Sequence, residues 1–441
     1  MIPSIYTLEN GLCLRFLPTD KFKAGMLSVS AVLPIDGERA WLTTLLLSVL
    51  RRGTCRYPSL AELNRRLDYL YGTELSIRNF YRGDSRIIGL CADLIDTSYL
   101  PDVGEPLLDG VLEVMGEILF HPLLDENGLL DARYVESEKK LQCDQIRSLK
   151  NNPRAYAIEQ CRGIMYADEP CGVPIYGTEE QVMSATPEML TAHWRALIGQ
   201  MCLDCFYIGH ADPGTVANAL RRTLGRELRA ATPETSVMER RVIRSAGREK
   251  RGEASLPVGQ GQLVIGLRSG IAIGDADFYA CMVFNELLGV SPISKLFMNV
   301  REKLSLCYHC ASSYNLYKGT ITITCGLENR NRKKAEREIL RQLRLICQGD
   351  FTEAELQGAK KSLENGYRQL EDSPAALESY YYGRALAGEE SSLADCRAQF
   401  DRVTREDVIA AANRVSVDTV FFLRGTLAVN GEVETDDEYM E

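Results

Sequence analysis

An α+β fold of two homologous halves, each a mainly antiparallel sheet packed against helices, is what the 441-residue chain predicts. Three observations carry that prediction. First, the sequence echoes itself at a separation of about 220 residues, too long for a solenoid and suited to a duplicated domain. The segment Ile146-Arg-Ser-Leu-Lys-Asn-Asn-Pro153 resembles Tyr367-Arg-Gln-Leu-Glu-Asp-Ser-Pro374. In both, a long helix is stopped before Pro and a second helix restarts there. Second, Thr186-Pro-Glu-Met-Leu190 echoes Thr404-Arg-Glu-Asp-Val408, each a Thr N-cap followed by early acids. Third, each of those helices leads to an apolar strand ending in Gly, at residues 205–209 and 420–425.

Taken in order, the first half opens with a strand at 27–33, where apolar and small polar residues alternate. Helices follow at 39–52 and 60–71. Strands at 74–81 and 85–93 are joined by Arg82-Gly-Asp84, a good turn. In the second half a strand at 262–267 precedes helices at 275–288 and 292–303, then strands at 306–314 and 320–327. Thr352-Glu-Ala-Glu355 is a capping box opening the next long helix. Residues 231–261, rich in Arg, Glu, Ser and Gly, read as the interdomain connection with some strand at its C-terminal end. The division is therefore 1–230, 231–261 and 262–441, the last ending in an acidic tail.

Composition excludes several function classes. Lys+Arg is 51 against Asp+Glu 61, a net charge of −10, which disfavours a general nucleic-acid binder. The longest apolar stretch, near residues 42–50, is broken by Thr43, Thr44 and Ser48, and a spanning helix needs about 20 apolar residues. The first residues lack the pattern of a signal peptide, so a cytoplasmic location is expected. Fourteen Cys then read as reduced thiols rather than a disulfide framework.

Candidate chemistry is sparse. Of the four His, at 121, 193, 210 and 309, no two lie within one helical turn of each other. His193, in a Thr-capped helix, reads as packed or solvent-facing. The pairs Cys202/Cys205 and Cys307/Cys310 have zinc-like spacing. Each falls in a segment read as strand, where residues three apart point to opposite faces, so core thiols are the better reading. Gly259-Gln-Gly261 precedes a strand and is no nucleotide loop. Arg301 and Tyr308, taken alone, are a helix-end cation and an amphipathic strand residue.

Set together, Thr7-Leu-Glu-Asn-Gly11, Arg52-Gly-Thr54, Asn152-Pro153 and above all Val300-Arg-Glu-Lys-Leu-Ser-Leu-Cys-Tyr308 resemble the insulinase/pitrilysin-like metallopeptidase family over nearly the whole length. The last segment is similar to that family's Arg…Tyr substrate-binding signature. Active members carry H-x-x-E-H, two imidazoles for zinc and a Glu that activates water. The matching positions here are Thr44, Leu47 and Ser48. The position of the third ligand, seven residues after Glu138, is Gln145. All ligands and the base are absent.

The resemblance is to the zinc-less partner of bacterial two-chain members, especially the Gram-positive type associated with 5-aminopentanol modification of elongation factor P. It implies no cofactor in this chain and zinc in an H-x-x-E-H partner subunit. Arg301 and Tyr308 would then grip a peptide carbonyl in trans. The alternative is a non-enzymatic peptide-binding or scaffold protein that needs no peptidase partner.

Overall fold

The computed structural model describes residues 2–96, 99, 106–228 and 237–427. The acidic tail and the start of the interdomain connection lie outside the described residues. The chain divides into two compact units, each discontinuous in sequence. The first comprises Met1–Ile146, Val173–Glu239 and Glu371–Glu390. The second comprises Arg147–Gly172, Arg240–Leu370 and Ser391–Glu441.

The first unit is built on a six-stranded sheet of β1 (Ser4–Thr7), β2 (Leu12–Pro18), β3 (Ala24–Pro34), β4 (Leu75–Arg82), β5 (Ser85–Ile95) and β6 (Leu203–Gly209), in the order β1-β2-β6-β3-β5-β4. Only β2 and β6 run parallel; the other neighbours are antiparallel. The hairpin β1–β2 turns at Asn10 and Gly11, both with positive φ (58° and 76°), which their side chains tolerate at little steric cost. The Arg82-Gly-Asp84 turn predicted from sequence is present, with Gly83 at φ 61°.

On this sheet pack α1 (Ala40–Leu50), α2 (Leu60–Tyr69), α3 (Leu107–Phe120) and α4 (Ala132–Ser148). Helix α1 is apolar on nearly every face, and all of its residues but Ser48 are buried. Such a helix is a core element rather than a surface stripe. After α4, α5 (Pro153–Met165) restarts at Pro153, where the Asn152 side chain accepts from the Ala155 amide at 3.1 Å. Then come α6 (Glu179–Met183), α7 (Pro187–Gln200) and α8 (Pro213–Arg222).

The second unit repeats the scheme. Its sheet holds β7 (Lys250–Leu256), β8 (Gly261–Arg268), β9 (His309–Asn315), β10 (Thr320–Leu327) and β11 (Ser416–Gly425), in the order β7-β11-β8-β10-β9. Here β7 and β11 are the parallel pair. Matching β2, β6, β3, β5 and β4 to β7, β11, β8, β10 and β9 reproduces both the order and the place of the parallel pair. The duplication inferred from sequence echoes is thus visible as topology. Helix α9 (Phe278–Asn285) runs into a π turn at Glu286–Val290, and a second π segment spans Phe297–Lys303. The unit is completed by α10 (Arg332–Cys347), α11 (Glu353–Gln369), α13 (Leu393–Arg402) and α14 (Arg405–Asn413), while α12 (Pro374–Leu386) lies between α11 and α13 in sequence.

The helices that restart at Pro153 and Pro374 change units. Helix α5 lies within the first half of the sequence yet packs Ala157 and Cys161 against Val264, Phe421 and Leu423 of the second sheet. Helix α12 sits in the first unit, where Glu378 accepts from Ser28 Oγ at 3.0 Å and pairs with Arg78 at 2.9 Å, all three buried. The helix stops before Pro153 and Pro374 are therefore the points at which each half hands a helix to the other unit.

Candidate functional site

In the first unit, the positions matched to the zinc motif lie on α1. Leu47 is 5 % exposed and belongs to the hydrophobic core. Ser48 Oγ donates back to the Thr44 carbonyl at 3.3 Å, a bond internal to the helix. Thr44 Oγ1 donates to the Ile175 carbonyl at 2.5 Å and accepts from Arg86 Nη2 at 2.8 Å and Asn79 Nδ2 at 3.2 Å. The Arg86 guanidinium, 2 % exposed, also donates to the Ala40 carbonyl at 2.5 Å and to Asn79 Oδ1 at 2.7 and 3.0 Å. Burial pushes its pKa down to about 10.

Helix α4 turns Gln142, not Gln145, toward α1. Gln142 Nε2 donates to the carbonyls of Trp41 (3.2 Å) and Tyr176 (2.9 Å), whereas Gln145 lies on the exposed face. Glu138, buried, is engaged by the Arg52 guanidinium. A zinc ion does not fit this set. Its side chains are a hydroxyl, an isobutyl group and a helix-bonded hydroxyl, and a cationic guanidinium is already bonded to the first of them. A dication needs thiolate, imidazole or carboxylate donors, not a buried positive charge. Sequence reasoning missed Arg86 and Asn79. The signal was a charged residue placed inward in the otherwise apolar alternation of β5.

In the second unit, Arg301 and Tyr308 do share one feature. Both line an open cleft of about 360 Å³, with Glu302, Ser305, Glu328 and Asn331 around them. Arg301 lies in the π segment and stacks over the Phe297 ring at 4.7 Å. Its guanidinium lies 3.6 Å from the Glu302 carboxylate, and its side chain is 43 % exposed. The chain then turns through Ser305, whose φ of 49° is left-handed. Tyr308, 56 % exposed, directly precedes the edge strand β9. Its hydroxyl donates to Glu328 Oε1 at 3.3 Å and its backbone amide to the Gly326 carbonyl at 2.8 Å.

The cysteine spacing is resolved differently from the sequence expectation. Cys202 is a half-buried free thiol and Cys205 a buried one. Cys307, however, lies before β9 rather than in it, so strand alternation does not separate it from Cys310. Cys310 in turn faces Cys325 across the β9–β10 ladder. The three sulfurs lie within 4.8 Å of one another, all buried. Hydrogen bonds from Cys310 and Cys325 hold the Cys307 thiol well below its usual range. Cys325 was missed, although the pairing of Asn315 with Thr320 at the head of the hairpin fixes Cys310 opposite Cys325.

Comparisons with known proteins place the chain in a family. Residues 184–363 match the family model described as "Peptidase M16 inactive domain". The "Probable inactive metalloprotease YmfF" of Bacillus subtilis is 30% identical over 418 residues, covering 95% of this chain and 97% of that protein. This chain belongs to the M16 peptidase family. A second Bacillus subtilis relative, the "Uncharacterized zinc protease YmxG", is 22% identical over 72% of this chain and 75% of its own length. Among solved structures, a conserved protein from Enterococcus faecalis V583 superposes over 99% of this chain and 100% of that one, with a TM-score of 0.84 and 25% identity. By the inactive-domain model and the probable inactive relative that it matches, the chain is an inactive-type M16 homologue. Among the described residues no helix is long and apolar enough to cross a membrane.

Proposed function

We propose that this chain is a non-catalytic M16 subunit that binds peptide through Arg301 and Tyr308 and pairs with an H-x-x-E-H peptidase. The zinc and the general base belong to that partner. The observation that carries the reading is the shared cleft: Arg301 and Tyr308 both line it, both are exposed, and neither is consumed by a buried ion pair. A guanidinium fork and a phenol are donors suited to a peptide carbonyl and to the charge that develops on it during hydrolysis. Tyr308 also leads directly into β9, so a peptide held in the cleft arrives at a sheet edge, where an extended chain pairs by backbone bonds.

Fluorescence anisotropy with a pool of labelled unstructured peptides tests the binding half. Arg301→Ala removes a charged donor and weakens affinity by about 10-fold or more, since such bonds contribute about 1.5–3 kcal/mol. Tyr308→Phe removes a neutral donor and costs less, about 2- to 10-fold. Equal affinities in wild type and both variants would remove Arg301 and Tyr308 from the peptide site.

A further inference from the structure

We propose that Cys307, Cys310 and Cys325 form a thiolate site for zinc, with a fourth position opening to the cleft that holds Arg301 and Tyr308. Neither the M16 zinc motif nor the peptide-binding reading includes this site, and it does not depend on either.

Geometry and donor chemistry carry the assignment. The three sulfurs lie within 4.8 Å of one another. Zinc–sulfur bonds of about 2.3 Å place tetrahedral sulfurs roughly 3.8 Å apart, so the cluster closes on an ion by small side-chain rotations. Two ligands sit opposite each other on paired strands. The third is delivered by the tight path between the π segment and β9. There the Leu306 amide donates to the Val300 carbonyl at 3.1 Å and Ser305 takes its left-handed φ of 49°. Among the described residues this is the one cluster made of thiols alone. Plain core packing would be served by any small apolar side chain, whereas three convergent thiols select a thiophilic d¹⁰ cation.

The surroundings fit as well. His309 is not a fourth ligand, because its Nε2 meets Thr324 Oγ1 at 3.2 Å on the other face of the ladder. Cys307 lines the cleft, so solvent or a bound group completes the coordination there. Three thiolates and one zinc leave a net charge of −1, and the Arg301 cation lines the same cleft as Cys307. Zinc would also fix the segment that carries Tyr308, one residue from Cys307.

The full chain, purified metal-free under anaerobic reducing conditions, is titrated with Co²⁺ and then with Zn²⁺. One equivalent of Co²⁺ is expected to give thiolate-to-metal charge-transfer and tetrahedral d–d bands, which one equivalent of Zn²⁺ bleaches. Cys307→Ser is expected to weaken zinc binding at least 10-fold, and the Cys307→Ser/Cys310→Ser/Cys325→Ser variant to abolish the bands. The Cys202→Ser/Cys205→Ser variant keeps them. Absence of the charge-transfer band in the reduced wild type overturns the proposal whatever the variants do, and so does an undiminished band in the triple variant.

Discussion

The buried Arg86 guanidinium is the residue that most changes what the first unit can do. In the sequence resemblance, Thr44 is expected to be merely a lost ligand. In the structure it is the acceptor for a cation that also binds the Ala40 carbonyl and Asn79. The same charge reaches His193, whose Nε2 lies 2.8 Å from Thr43 Oγ1 on α1. Burial first, then Arg39 and Arg86, push the His193 pKa down to about 4 from 6.5. A histidine depressed on folding stays neutral in the native state while the unfolded chain takes up a proton. Stability from this residue is therefore intact above pH 6.5 and is lost as pH falls from 6.5 toward 4. In urea denaturation, His193→Asn is expected to change its midpoint relative to wild type in the variant's favour across that interval. A midpoint difference that stays constant from pH 7.5 to 4.5 would contradict it. Thr44, Leu47, Ser48, Arg301 and Tyr308 could be found from local motif spacing. Arg86 was signalled only by a charge in the apolar alternation of β5, and Asn79, Cys325 and the inward turn of Gln142 not at all, because each depends on which strand or helix lies opposite.

At the level of elements, the sequence was most informative where backbone chemistry is local. The caps at Thr186, Thr352 and Thr404 each accept from the amide three residues on, as their spacing predicts. The helix restarts at Pro153 and Pro374 are likewise present. The short strands β1 and β2 were not anticipated, since β1 is exposed throughout and gives no apolar alternation. Nor does any local pattern reveal that α5 and α12 exchange units. What fixes α12 is a buried ionic contact, Glu378 with Arg78 and Ser28. Removing one member leaves the other charge buried and unpaired, at a cost of about 3–5 kcal/mol. Glu378→Ala is thus expected to lower the denaturation free energy by about that much. Asp372→Ala breaks an exposed pair with Lys21 and is expected to cost less than about 1 kcal/mol. Equal effects of the two substitutions would show that the buried contact does not hold α12.

For the molecule as a whole, duplication has left two units with the same strand order and different surface chemistry. The first has the positions expected to hold metal filled by apolar packing and a guanidinium. The second keeps an exposed cation and phenol in one cleft. If Arg301 and Tyr308 bind substrate as proposed, nothing at the degenerate motif on α1 activates water, which is why a zinc-bearing partner is central to the account. The most direct measurement is peptidase activity and native mass of this chain co-expressed with an H-x-x-E-H homologue from the same host. The account predicts a one-to-one assembly whose turnover needs both chains, with Arg301→Ala lowering kcat/KM about 10-fold or more while the mass is unchanged. A zinc homologue that turns over equally well alone, with this chain recovered only as monomer or homodimer, would contradict it and leave a peptide-binding scaffold.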